Sequence, residues 1–74
     1  MPRKIRQLKA ELRAAGFHEI RRRGKGSHSY WEYDDYPGMI ITLSGQDGDD
    51  AKPYQEAAVA KVIRSVTARD SGEN

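Results

Sequence analysis

Gly24-Lys25-Gly26-Ser27-His28-Ser29-Tyr30-Trp31 is the stretch around which the chain is organised. Arg21, Arg22 and Arg23 lead into it, and Trp31-Glu32-Tyr33 leads out. Two glycines so close together signal a tight backbone turn. The residues after the turn alternate, with His28, Tyr30 and Glu32 on one face of a strand and Ser29, Trp31 and Tyr33 on the other. Trp31 and Tyr33 form the better buried face, because Glu32 shares the opposite one. His28 is therefore expected on a face turned away from the core, beside a glycine bend and a run of cations. Backbone N–H groups at such a bend, with Arg22, Arg23 and Lys25 nearby, suit a bound phosphate.

Working outward, residues 3–15 read as a helix, since Ile5, Leu8, Leu12 and Ala15 recur at steps of three and four. Pro2 suits its entrance, and Gly16 suits the left-handed position just past its end. Residues 17–23 read as a first strand with imperfect alternation. Residues 27 or 28 to 33 form the second strand. Asp34-Asp35-Tyr36-Pro37-Gly38 is a hairpin connection, and residues 39–44 form the third and most apolar strand. The loop over residues 44–50 resembles a fragment of a calcium loop but lacks the distal glutamate, so it reads as a solvated loop. Pro53 opens a second helix whose stripe Ala58, Val59, Val62, Ile63, Val66 runs to about Thr67. Residues 69–74 read as a polar tail. The order predicts an α+β single domain spanning residues 1–74, with an ordered core over about 3–67. Its architecture is α-β-β-β-α: a three-stranded antiparallel sheet with both helices on one face and the other face open.

A chain of 74 residues is one small domain, and it buries only roughly 60% of its unfolded surface. Without cysteine, disulfides, thiolate zinc sites and cysteine nucleophiles are excluded. The N-terminus shows no signal-peptide pattern, and no apolar run reaches the roughly 18 residues of a membrane span. A cytoplasmic protein is the expectation. The net charge is only +2, but residues 1–30 hold nine Lys/Arg against two acids, while residues 31–74 hold four against nine. A basic half points to a polyanionic partner such as RNA.

From the residues alone, His28 either opens a strand with no chemical role or acts as an acid–base group. His18, just after the first helix, reads as exposed and inert. Trp31 and Tyr33 read as core, and Tyr30 and Tyr36 as platforms for base stacking. Lys52 stands either as a phosphate contact at a helix start or as a solvated lysine.

Leu12-Arg13-Ala14-Ala15-Gly16-Phe17, then Gly26-Ser27-His28 before an aromatic strand, then Lys52-Pro53 opening the last helix, resemble the HicA (YcfA-like) toxins. The element order is that of the double-stranded-RNA-binding fold. The resemblance covers about residues 5–67 and rests on the spacing of these motifs. It implies an mRNA interferase that cleaves RNA and arrests growth, held inactive by a HicB-type antitoxin, with oligomers formed only through that antitoxin. It places the catalytic histidine on His28 and the turn glycine on Gly26. Where many members carry a second histidine and basic residues after the third strand, this chain has the acidic loop over residues 44–50. The alternative is a non-catalytic RNA-binding module of the same fold, or a piece that binds protein only.

RNA cleavage by its own 2′-hydroxyl needs a base for that proton, an acid for the leaving oxygen and positive charge for the phosphorane. His28 supplies an imidazole. Arg22, Arg23 and Lys25 supply charge, with Gly26, Ser27, Tyr30 and Lys52 as further RNA or phosphate contacts. Tyr30 is the candidate for the second acid–base role. The scheme requires no metal or cofactor.

Overall fold

The computed structural model describes residues 3–21 and 26–70, with side chains through Thr67. The elements are α1 (Ile5–Ala15), β1 (Phe17–Glu19), β2 (His28–Tyr33), β3 (Ile40–Ser44) and α2 (Pro53–Asp70). The strands form one antiparallel sheet in the order β1-β2-β3. The expected α-β-β-β-α architecture is the observed one.

α1 buries Ile5, Leu8 and Leu12, the expected apolar stripe. It starts at Ile5 rather than residue 3, because the preceding backbone is used elsewhere. The Arg3 carbonyl accepts the Ala51 N–H at 2.6 Å, and Lys4 bridges Asp50 in extended conformation. The Lys4 N–H, which no helical carbonyl can satisfy, donates to Gln7 Oε1 at 2.7 Å. Gly16 ends the helix at φ 105°. A Cβ there would also lie 3.0 Å from Tyr33 Cε1, so both conformation and space demand glycine.

β1 is shorter than the sequence suggests. Its last pairing bond runs from the Ile20 N–H to the Tyr30 carbonyl at 2.8 Å, and Arg21 already lies in a turn. The register explains the stop. Phe17 pairs with Tyr33 and Glu19 with Trp31, so one further step would set Arg21 opposite Ser29 on the buried face. A charged side chain without a partner there would be costly. β3 begins at Ile40, one residue later than expected. α2 continues to Asp70, three residues past the expected end, since alanine and arginine favour helix and no glycine or proline intervenes before Gly72.

In β2, Ser29, Trp31 and Tyr33 are buried while His28 is exposed and Tyr30 and Glu32 are half-buried. Trp31 is fully buried with Ile5, Leu8, Leu12, Leu43, Val59 and Val66, so both helices pack on this face. Burying a side chain of that size stabilises by about 4–6 kcal/mol. Its indole N–H donates to Ser29 Oγ at 3.0 Å, and the Arg13 guanidinium lies 4.9 Å from its ring centroid. Phe17 and Tyr33 pack as tilted rings 5.2 Å apart. Among the described residues, no helix is long and apolar enough to cross a membrane.

Candidate active site

The face of the sheet that the helices leave uncovered carries the candidate site. Along β2 it presents His28, Tyr30 and Glu32. Across from them stand Ser44, Thr42 and Ile40 on β3, and His18 on β1 faces Glu32. His28 is exposed and opens the strand. The chain reaches it through Gly26, whose φ of 60° requires the left-handed region, and exposed Ser27. The Ser27 carbonyl accepts the Gly45 N–H at 3.1 Å, which extends the β2–β3 ladder just beyond the His28–Ser44 pair. Tyr30 follows two residues later on the same face, about 7 Å along the strand.

Three of the expected phosphate contacts, Arg22, Arg23 and Lys25, lie outside the described residues. Lys52 is exposed, and its backbone N–H is occupied by Gln55 Oε1 at 2.8 Å. The structure thus sets His28, Tyr30, Gly26 and Ser27 together at one end of the open face, and places Lys52 at the start of α2.

His18 is exposed, as expected, but it is not without partners. Its Nδ1 lies 2.5 Å from Asp34 Oδ1, and its Nε2 lies 3.5 Å from Glu32 Oε1. The hydrogen bond to Asp34, with the attraction of Asp34 and Glu32, raises its pKa above 6.5 against a smaller desolvation effect. Glu32 Oε2 in turn accepts the Gly38 N–H at 2.9 Å, so the cluster also holds the β2–β3 hairpin. His18 sits across from a residue four positions beyond His28, about 13 Å along the strand. It is too distant to share one phosphodiester with His28. The acidic surroundings of His18 also make that end of the face unfavourable for RNA.

Two of the three aspartates in the acidic loop are ion-paired. Asp47 pairs with Lys9 at 2.8 Å and Asp50 with Lys4 at 2.6 Å, while Asp49 Oδ2 accepts the Gln46 N–H at 2.9 Å. The Lys9 hydrogen bond holds the Asp47 carboxyl below its ordinary pKa. Arg3 pairs with Glu11. Three of the nine Lys/Arg in residues 1–30, Arg3, Lys4 and Lys9, are thus paired with carboxylates of the same chain. Among the described residues, no group of three or more His, Cys, Asp or Glu side chains is arranged to hold a metal ion.

A larger concavity, about 540 Å³, lies between α1 and α2 and is lined by Arg3, Glu11, Ala60, Ile63, Arg64 and Thr67. It belongs to the helix side and holds no imidazole. Sequence reasoning missed buried Gln55, whose carboxamide binds Ser44, the cross-strand neighbour of His28. A glutamine in a helix's first turn carries no signal of such a contact.

A family model described as HicA toxin of bacterial toxin-antitoxin matches residues 5–64. No curated protein and no solved structure matches the chain at a significant level.

Proposed function

Because the chain belongs to the HicA toxin family of bacterial toxin–antitoxin systems, we propose that it is an endoribonuclease, an mRNA interferase acting in the cytoplasm, with His28 as its general acid–base group. The observation that carries this reading is the exposed imidazole of His28 at the head of β2, on the sheet face that neither helix covers.

The reaction follows from what an imidazole can do to RNA. His28 takes the proton of a ribose 2′-hydroxyl, and the 2′-oxygen attacks the adjacent phosphorus. The P–O5′ bond breaks, leaving a 2′,3′-cyclic phosphate on one fragment and a 5′-hydroxyl on the other. In-line displacement sets the attacking and leaving oxygens on opposite sides of phosphorus, so a second group protonates the 5′-oxygen. Tyr30, on the same face, is the proposed donor. Arg22, Arg23 and Lys25 offset the developing negative charge, and the Gly26–Ser27 backbone and Lys52 help hold the strand. One positioned imidazole contributes about 10²–10⁴-fold. No step calls for a metal or cofactor.

An RNA reaching His28 must lie across the open face, so a HicB-type antitoxin that neutralises the toxin is proposed to cover that face. Carboxylates on that partner would compete for the cations that RNA uses. Expression of the His28→Ala chain in bacteria tests the assignment: growth arrest is expected to disappear while the protein accumulates folded. Persistent arrest would remove His28 from the chemistry. RNA binding without product, by the unaltered chain, would instead identify a binding module.

A further inference from the structure

We propose that Gln55 is a positioning residue for His28, acting through the end of β3. The inference rests on the reading of His28 as the reacting group. Gln55 is only 3% exposed and sits in the first turn of α2. Its Oε1 accepts the Lys52 N–H at 2.8 Å, which satisfies a backbone donor at the helix start. Its Nε2 donates to the Ser44 carbonyl at 2.8 Å and reaches Ser44 Oγ at 3.3 Å.

The two arms do different work. Capping α2 needs only the acceptor, so the donor arm adds nothing to the helix. Instead it ties the helix layer to Ser44, the last residue of β3 and the cross-strand neighbour of His28. The next residue, Gly45, donates its N–H to the Ser27 carbonyl immediately before His28. A path of main-chain bonds therefore runs from the Gln55 carboxamide through Ser44 and Gly45 to the residue that precedes the imidazole.

This end of the sheet needs such a tie. Among the described residues, β3 is an edge strand, and its last pair has no further ladder beyond the Gly45–Ser27 bond. Terminal pairs of edge strands open at low free-energy cost. An exposed histidine gains no rigidity from packing, so its strand must supply the geometry the chemistry requires, typically within about 0.5 Å.

The test uses the full chain with Gln55→Met, close in size but without polar atoms, and Gln55→Glu, which keeps the acceptor for the Lys52 N–H and loses the donor. Single-turnover cleavage of a mixed-sequence single-stranded RNA is measured beside amide exchange at Gly45, with the Ile20 N–H of the β1–β2 ladder as internal reference. In both variants the maximal rate is expected to fall about 10–100-fold, with the half-saturating RNA concentration within about twofold. Gly45 exchange is expected to accelerate at least about tenfold relative to Ile20. A folded variant with the unaltered rate and unaltered Gly45 protection would overturn the proposal. If Gln55→Met does not fold, Gln55→Glu decides by the same readings. Cleavage that survives His28→Ala removes His28 from the chemistry instead, and Gly45 exchange still decides whether Gln55 holds the strand end.

Discussion

His18 Nδ1 and Asp34 Oδ1 lie 2.5 Å apart, joining the first strand to the residue that follows the second. With Glu32 3.5 Å from the other ring nitrogen, the imidazole stands between two carboxylates and its pKa is raised above 6.5. The folded state thus holds the His18 proton more tightly than the unfolded chain does. Its contribution to stability is fully present below pH 6.5 and is lost as pH rises through the folded value. Thermal melts of the unaltered chain and of His18→Ala are expected to differ most near about pH 5.5 and to converge by about pH 9. A constant difference across that range would show that the ion pairs contribute nothing.

Ser29 accepts the N–H of a fully buried indole, through the 3.0 Å bond from Trp31 Nε1. Ser29→Ala leaves that donor unpaired in the core. The expected cost is about 1–3 kcal/mol by urea unfolding, with the fold retained. A change near zero would mean that the indole N–H finds water or another acceptor.

At Gly16, φ is 105° and a Cβ would sit 3.0 Å from the Tyr33 ring. Gly16→Ala therefore combines left-handed strain with a clash in a small core. It is expected to destabilise by about 1–3 kcal/mol, read as a shift of the urea midpoint at constant slope.

These residues also show what the sequence disclosed and why. The end of α1 was legible because Gly16 follows the last apolar step of the helix, and β2 because a six-residue strand alternates cleanly. Placement of His28 on the uncovered face followed from Trp31 and Tyr33 claiming the other. The end of β1 was not legible, since it depends on Arg21 falling opposite buried Ser29, a register that only the β2 pairing fixes. The partners of His18 were hidden for the same reason. The ion pairs of Lys9 and Lys4 were not legible either, because Asp47 and Asp50 come from a loop distant in sequence that folds back onto them. Gln55 gave no signal at all, since its carboxamide bonds a carbonyl 11 residues away.

The central claim is that His28 performs the chemistry, and RNA cleavage by purified His28→Ala protein tests it most directly. Because the side chain is exposed, the substitution is expected to change stability by no more than about 0.5 kcal/mol. Cleavage of a single-stranded RNA, with 2′,3′-cyclic phosphate ends on the products, is expected to slow by about 10²–10⁴-fold. Products accumulating at the unaltered rate from the folded variant would contradict the account.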